Sequence, residues 1–279
     1  MSERQLLILT FHTIEESSSP IAFPPALFRE LVEGMHVRGL QARTLAEAVA
    51  EWEGDDASGQ TRLRSQPADR LLVAFTFDDG FRSVHDIAFP ILRERGMRAT
   101  VFLTAGQSLE GRDPRMRFLE RDMLTWEEIG ALSAGGFEIG GHTRSHPDLT
   151  RLSDHELRDE LAINKAEIER RIGTPVTSFA YPFGNWNENV RAETMRLYAC
   201  ACTDRLGIAS ARQDRFRLPR IDACYLHVRR PADLLFSRFL SFYLGMRAGP
   251  RAVRRRITLA SRRASRGRGG RERGPCASA

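Results

Sequence analysis

The feature that most constrains this chain is a short apolar run that ends at two adjacent carboxylates. Leu72–Phe77 has a strong strand preference and is apolar on both faces, which predicts a buried strand of a parallel sheet. Asp78, Asp79 and Gly80 follow at its C-terminal end, where α/β folds place their reactive groups. Because side chains alternate along a strand, the two carboxylates can point in different directions, so one could hold a metal while the other moves a proton. Taken alone, the same residues favour the simpler interpretation of an Asp-Asp-Gly turn followed by a helix cap.

Strand-like segments alternate with helix-like segments along most of the chain, without internal repeats. The predicted strands are Leu6–Thr10, Leu72–Phe77, Ala99–Leu103, Phe137–Ile139, Val176–Tyr181, Tyr198–Thr203 and Phe216–Ile221. Two capping boxes, Thr125 with Glu128 and Ser153 with Glu156, predict the starts of two of the helices. This alternation indicates parallel strands joined by right-handed crossovers, hence a barrel or an open doubly wound sheet.

A helix break and two loops are predicted from proline and from polar composition. Pro90 should break the helix that follows the opening strand, and residues 53–70 and 106–121 should be exposed loops. After Pro231 the apolar residues of Leu234–Leu244 form a helix candidate.

The net charge of +6 is unevenly distributed. Residues 247–279, the basic tail, contain eleven arginines and one acidic residue, so the tail carries +10 and residues 1–246 carry −4. The basicity therefore describes the tail and not the substrate of the folded part. Its Arg-Gly composition predicts disorder.

No secretory signal and no apolar run of membrane-spanning length is visible, which predicts a cytoplasmic protein with reduced cysteines. Cys200, Cys202, Cys224 and Cys276 lack metal-type spacing. Cys200 and Cys202 alternate along a predicted strand, so we interpret them as core thiols.

A histidine pair begins where another predicted strand ends. His142 and His146 are four residues apart and can converge on one ion, since imidazole nitrogens suit zinc and similar metals. Such a pair alone more often caps a helix or faces solvent. If Asp79 also points inward, the three residues form an Asp-His-His set with open positions for water and substrate, as catalytic metal sites require.

A third stretch, Phe179–Gly184, is a strand that runs into a Pro-Gly turn. The free backbone N–H groups of such a turn could stabilise an oxyanion, although a plain turn with aromatic packing is equally compatible with the residues.

These three motifs, in this order and spacing, resemble the polysaccharide deacetylases, also called the nodulation-type deacetylase domain or carbohydrate esterase family four. The resemblance covers roughly residues 6–221, and Leu9–His12 is similar to the subset that deacetylates poly-N-acetylglucosamine and related exopolysaccharides. It implies an α/β fold, a distorted (β/α) barrel with about seven parallel strands that is similar to a TIM barrel. The predicted organisation is a catalytic barrel at 1–230, an apolar helix at 231–246 and the basic tail at 247–279.

The resemblance also implies roles for individual residues. Asp79, His142 and His146 would bind a divalent metal, with zinc expected and cobalt, nickel or iron compatible. Asp78 would be the general base. The remaining assignments are a backbone N–H at Phe183 for the oxyanion, and substrate contacts from Tyr181, Pro182 and Arg220.

Two groups of the common family pattern are missing from this sequence, and other residues would have to replace them. Ala180 stands where most members have the arginine that orients the base, so we predict that Arg217 or Arg220 supplies that charge. The usual acid motif is not cleanly present. We predict that His12, at the tip of the first strand, is the general acid, with His227 as the alternative.

The expected reaction is removal of an N-acetyl group from an amino sugar in a glycan or glycan precursor. Without an export signal, a lipid-linked or nucleotide-linked amino sugar is the expected substrate, and residues 232–279 could contact the inner face of a membrane. A packed terminal helix with a solvated tail is the alternative. Nucleic acid is not expected, because the body is acidic and the tail lacks interleaved aromatics. Two other functions remain open, a deformylase of a lipid-linked amino sugar and a catalytically inactive glycan-binding domain.

Overall fold

The computed structural model describes residues 4–58, 71–105, 117–118, 121–210, 212–237, 239–240 and 242–247. The chain divides into two compact units, Met1–Phe236 and Ser237–Ala279.

The following strands and helices belong to the first unit. The strands are β1 (Gln5–Phe11), β2 (Thr13–Ile14), β3 (Ala22–Phe23), β4 (Ala42–Arg43), β5 (Leu71–Phe77), β6 (Ala99–Leu103), β7 (Arg117–Phe118), β8 (Arg121–Asp122), β9 (Glu138–Gly141), β10 (Ser178–Ala180), β11 (Cys200–Leu206) and β12 (Leu218–Asp222). The helices are α1 (Pro25–Val37), α2 (Leu45–Ser58), α3 (Phe89–Glu94), α4 (Trp126–Ala134), α5 (Asp154–Ile172), α6 (Glu188–Leu197) and α7 (Pro231–Leu235).

Seven parallel strands close into a barrel. Their order is β1, β12, β11, β10, β9, β6 and β5, and β5 pairs with β1 to complete the ring, from Gln5 opposite Leu71 to Phe11 opposite Phe77. The short β4 lies beside the first half of β5, and β6 takes its place from Phe75 onward. The predicted (β/α) barrel with about seven parallel strands is confirmed.

The barrel interior changes from apolar to polar along the strands. Alternate residues of the strands, among them Leu6, Ile8, Leu72, Ala74, Phe102, Ala180, Cys200, Cys202 and Leu218, form one core cluster with Leu45, Ala48, Val49 and Trp52 of α2. Helix α2 thus covers the end where the strands begin. The next inward positions toward the carboxyl ends are polar, including Thr10, Thr76 and Arg220, and all three are buried. The prediction that Cys200 and Cys202 are core thiols is confirmed, since both are buried and free, and burial raises the pKa of the Cys202 thiol to about 12.

The helix starts follow the predicted local signals. Both capping boxes form: Thr125 accepts from the Glu128 backbone N–H at the start of α4, and Ser153 accepts from that of Glu156 at the start of α5. Helix α5 ends at Gly173, whose φ of 71° is the left-handed conformation that glycine adopts most readily.

Three local predictions need correction. Pro90 does not break a helix; it lies in the first turn of α3, where its missing N–H leaves no bond unmade, and a π-helical turn at Val84–Ala88 precedes it. The predicted loop at 53–70 begins later, since α2 continues to Ser58, and residues 59–70 lie outside the described part. Within the predicted loop at 106–121, Arg117–Phe118 pairs with Arg121–Asp122, and the other residues up to 120 lie outside the described part.

The apolar segment after Pro231 is also not one helix. Helix α7 ends at Leu235 with Phe236 as its C-cap, and residues 242–247 are helical in the second unit. No helix among the described residues is long and apolar enough to cross a membrane. Residues 248–279, with nearly all of the basic tail, lie outside the described part.

Candidate active site

Asp78 follows the inward-facing Thr76 by two residues and points into the mouth of the barrel. Its partner is Arg220, which is inward-facing on β12: Nη1 donates to Oδ1 at 2.7 Å and Nη2 donates to Oδ2 at 2.8 Å. Arg220 also donates through Nε to the Thr203 carbonyl at 3.0 Å. Both side chains are about 95% buried, with 5% and 6% exposed.

The ion pair sets the charge of Asp78. Burial alone would raise the pKa of this carboxyl, but the Arg220 charge, the nearby His142 and the two hydrogen bonds from Arg220 together hold it well below its usual range. Of the two arginines predicted to supply this charge, Arg220 makes the contact. Arg217 instead lies over the Trp186 ring, 4.2 Å from its centroid.

Asp79 meets the two predicted histidines. Its Oδ1 lies 3.5 Å from His142 Nε2 and 3.3 Å from His146 Nε2, and the candidate ligand atoms all lie within 4.8 Å of one another. Ligand atoms around a tetrahedral zinc ion with bonds of about 2.1 Å are roughly 3.4 Å apart, so both spacings fit such an ion. Asp79 has a φ of 72°, an unusual conformation for a residue other than glycine.

Both histidines direct their Nε2 atoms toward Asp79. His142 Nδ1 donates to the Ala180 carbonyl at 2.7 Å, which orients the ring with Nε2 toward Asp79. Burial, with the neighbouring His142, lowers the pKa of His146 to about 3, so its imidazole is neutral at ordinary pH.

The surroundings of Asp79 favour the binding of a cation. Burial raises its pKa, and Oδ1 is a buried oxygen without a hydrogen-bond partner among the described residues. A buried carboxylate oxygen that lacks a hydrogen-bond partner and faces two imidazole nitrogens is an unfavourable arrangement unless a cation binds there. The three residues therefore fit a divalent metal.

Phe183 lies at the rim of the same site. The predicted turn forms at Pro182–Gly184, and Phe183 has a φ of 58°. Its ring is 59% exposed and packs edge-on against the His146 ring at 4.7 Å between centroids. Asn185 Nδ2 donates to Asp148 Oδ2 at 3.2 Å, which ties this turn to the chain just after His146.

Of the two candidate acids, His12 is the one near the carboxylates. It follows the inward-facing Thr10 by two residues, is half-buried, and is close enough to affect the pKa values of Asp78, Asp79 and His146. His227 lies elsewhere, with Nε2 3.1 Å from the Ala22 carbonyl and its ring against Phe23.

The predicted substrate contacts have little exposed side-chain surface. The Tyr181 hydroxyl donates to the Phe216 carbonyl at 3.1 Å, and its side chain is 1% exposed. Pro182 is buried, and the Arg220 guanidinium is engaged by Asp78 and Thr203. The three substrate contacts stay predictions.

Two residues behind the histidines were not predicted. Glu160 and Asn164 of α5 hydrogen-bond to the segment between His142 and His146. A signal existed in the sequence: Asn164 falls on the apolar stripe of α5 between Leu161 and Ile168, and a polar residue on a core stripe implies a buried hydrogen-bonding task.

The fold and the site together define a parallel (β/α) barrel with a candidate Asp-His-His metal cluster at the carboxyl ends of its strands. Residues 65–199 match the family model described as polysaccharide deacetylase. This part of the chain is similar to the polysaccharide deacetylases, a family of metal-dependent hydrolases that act on the amide bonds of acetylated sugars. The matched range contains Asp78, Asp79, His142 and His146 but neither His12 nor Arg220.

Individual proteins show the same similarity. A Bacillus subtilis strain 168 protein named as a polysaccharide deacetylase, YxkH, is 28% identical over 218 residues, which is 78% of this chain and 71% of that protein. The structure of the Streptococcus pyogenes deacetylase PplD in complex with acetate has a TM-score of 0.70 and 25% identity, covering 84% of this chain and 98% of that one. IcaB from Ammonifex degensii, at 23% identity and a TM-score of 0.63 over 79% of this chain and 92% of that one, shares the fold.

Proposed function

We propose that this chain hydrolyses the N-acetyl group of an amino sugar, with Asp78 as general base, His12 as general acid and Asp79, His142 and His146 as metal ligands. One observation carries the proposal: a carboxylate that Arg220 keeps ionised is adjacent to a second carboxylate whose buried oxygen faces two histidines. Two neighbouring acids with such different surroundings can divide the work of proton transfer and metal binding.

Arg220 fixes Asp78 as a proton acceptor. Its two hydrogen bonds to Asp78 fix the orientation of the carboxylate and prevent its protonation at ordinary pH. Asp78 takes the proton of the attacking water as the water oxygen bonds to the amide carbon. A bound divalent metal, for which we expect zinc, would polarise the amide carbonyl and increase the acidity of the water.

Completion of the reaction requires a proton on the leaving nitrogen. His12 donates it as the carbon–nitrogen bond breaks, so that the products are acetate and the free amino sugar. The strained turn at Phe183 would present a backbone N–H to the developing oxyanion.

The assignment of His12 is tested by replacing it with Ala. Turnover should fall by about 10²- to 10⁴-fold, the usual contribution of a general acid, while metal content stays unchanged. His227→Ala is the matched control and should keep its turnover. The reverse outcome, with His227→Ala inactive and His12→Ala active, would move the acid role to His227.

For the substrate we propose a lipid-linked or nucleotide-linked amino sugar, with an acetylated glycan polymer as the alternative. The acetate named in the PplD complex is the product that N-deacetylation releases, which favours acetyl over formyl as the leaving group.

The substrate proposal is tested by measuring acetate and formate release from candidate sugars of each kind, with Asp78→Asn as the background. Acetate release well above that background supports deacetylation. Formate release alone would indicate a deformylase, and no release above background from any candidate would favour a glycan-binding domain.

We also propose that the second unit binds an anionic membrane surface, which would suit a lipid-linked substrate. Phe239, Phe242 and Met246 are 59%, 70% and 64% exposed, and their spacing of three and four residues places them on one helical face. The basic tail that follows carries +10, which complements anionic lipids.

Vesicle co-sedimentation of the full chain tests this surface. We expect binding to vesicles containing phosphatidylglycerol, weaker binding in high salt, and little binding to pure phosphatidylcholine. Replacing Phe242 and Met246 by Ser should weaken binding, whereas Val37→Ser, which changes an exposed residue of α1, should not. Equal binding of the double variant and the unchanged chain would contradict the proposal.

A further inference from the structure

We propose that Glu160 and Asn164 are positioning residues that hold the metal-ligand loop, residues 142–146, so that both histidines face Asp79. This inference rests on the proposed metal site and extends it to a helix that contributes no ligand. The two residues are four apart, so they lie on the same face of α5.

The metal-ligand loop has a backbone that needs external support. Thr143 has a φ of 71° and His146 a φ of 60°, the left-handed conformation that residues other than glycine rarely adopt. Thr143 is β-branched, which makes this conformation more unfavourable still. Such strain persists only where surrounding contacts over-determine the backbone. The hydrogen bond from the His146 N–H to Thr143 Oγ1 at 3.0 Å closes the loop but does not attach it to the barrel.

Glu160 holds the middle of the loop. Its Oε2 accepts from the backbone N–H groups of Arg144 and Ser145 at 2.8 and 2.9 Å, and its Oε1 accepts from Ser145 Oγ at 2.6 Å. The Arg144 N–H also lies 3.2 Å from the Glu160 backbone carbonyl. One carboxylate therefore binds three donors from the residues between the two histidines.

Asn164 holds the start of the loop from within the core. Its Nδ2 donates to the Thr143 carbonyl at 2.7 Å and to the Leu103 carbonyl at the end of β6 at 3.0 Å. The side chain is fully buried, and its Oδ1 has no hydrogen-bond partner among the described residues. A buried carbonyl without a partner is unfavourable, so the favourable contribution of this side chain comes from its N–H groups. These groups join the loop to a barrel strand.

The two contacts together fix the backbone next to each histidine. Asn164 bonds to the residue after His142, and Glu160 bonds to the two residues before His146. Helix α5 is capped at both ends, by the Ser153 box and by Gly173, so its face has a defined register against the loop. Outer groups that orient metal ligands typically change metal affinity by about 10- to 100-fold when they are lost.

The test measures zinc affinity of the full chain by competition with a chelating dye, together with the absorption spectrum of the cobalt-loaded protein. Glu160→Ala and Asn164→Leu should bind zinc about 10- to 100-fold more weakly and show an altered cobalt spectrum. Glu160→Gln keeps one acceptor for the two backbone N–H groups and should restore most of the affinity. Glu167→Ala changes a carboxylate of the same helix that pairs with Arg170 and Arg171, and it should match the unchanged chain.

The outcomes separate this inference from the function on which it rests. Unchanged zinc affinity and cobalt spectrum in Glu160→Ala, in a chain that binds zinc, would overturn the positioning role and leave the metal site intact. If the unchanged chain binds no divalent metal, both the metal site and the positioning role are overturned. If Asn164→Leu fails to fold, Glu160→Ala still decides, because Glu160 acts from the outer side of the loop.

Discussion

The pair of Asp78 and Arg220 shows how one buried arginine can set the charge of a neighbouring carboxylate. A buried ion pair is weak support for stability, since desolvation offsets much of its attraction, but removing one partner leaves a strongly unfavourable buried charge. Here the pair has a chemical consequence, because it keeps Asp78 ionised within the barrel. Arg220 reaches the carboxylate from the strand β12, two strands away from Ala180 on β10.

Replacing Arg220 by Met should therefore change the pH dependence of activity. Arg220 lowers the pKa of Asp78, so without it the effect of burial dominates and that pKa rises above its ordinary value. Since the base works only when ionised, the acid limb of the kcat/KM profile should move to higher pH, and kcat should fall by about 10²-fold or more.

Arg217→Met is the matched control, because Arg217 stacks on Trp186 and does not contact Asp78. Its pH profile should equal that of the unchanged chain. An unmoved acid limb in Arg220→Met would show that this arginine does not set the charge of the base.

At the level of single residues, the sequence predicted the groups that follow strand ends. Asp78, Asp79 and His142 lie at the carboxyl ends of β5 and β9, where parallel strands bring side chains together. The sequence left Arg217 and Arg220 as alternatives, because a shift of one residue in a strand reverses which side chains face inward. Only the observed start of β12 at Leu218 decides that Arg220 faces the interior.

Among the elements, the contact between β9 and α5 depends on a residue without a side chain. A Cβ atom on Gly141 would lie 2.6 Å from the Tyr198 hydroxyl and 2.9 Å from Asn164 Oδ1, closer than real contacts allow. Gly141 precedes His142 directly, so the metal-ligand loop starts at a point of close packing.

Gly141→Ala should lower the free energy of unfolding by about 1–3 kcal/mol, as overpacking of a core does. Gly130→Ala should instead raise it by about 0.5–1 kcal/mol, because Gly130 lies within α4 with open space around its Cα. Urea denaturation of both variants measures the difference. A Gly141→Ala chain as stable as the unchanged one would mean that Tyr198 and Asn164 move aside freely.

Elements with their own local signals were predictable, and elements set by the surrounding structure were not. The capping boxes of α4 and α5 formed as the sequence indicates, since the same few residues make and satisfy the cap. The apolar segment from Leu234 has helical spacing, yet α7 ends at Leu235, and apolar spacing alone did not fix that end. The use of Pro90 as a helix start depends on the π-helical turn before it, for which the sequence carries no marker.

For the whole molecule, closure of the barrel brings the ligands together. His142 follows β9 and Asp79 follows β5, with β6 between these strands, so the site exists only when the parallel sheet is assembled. A metal that binds this site binds the folded chain and not the unfolded one, which links metal occupancy to stability.

Removal of the metal should therefore lower the melting temperature. At a free ion concentration about 100 times the dissociation constant, binding contributes about 2.7 kcal/mol, which corresponds to a decrease of roughly 5–10 °C on adding a chelator. Differential scanning calorimetry of the chain with and without chelator measures this decrease. His155→Ala, which alters an exposed histidine of α5, should show the same decrease, whereas a chelator effect that persists in His146→Ala would place the metal elsewhere.

The division of labour between Asp78 and Asp79 is tested most directly by comparing Asp78→Asn with Asp79→Asn for metal content and for acetate release. Asp78→Asn should retain the metal and lose turnover, because it keeps the ligands and lacks the base. Asp79→Asn should lose both, since an amide oxygen is a much poorer ligand than a carboxylate. Full metal content in Asp79→Asn, or unchanged turnover in Asp78→Asn, would contradict this account of the site.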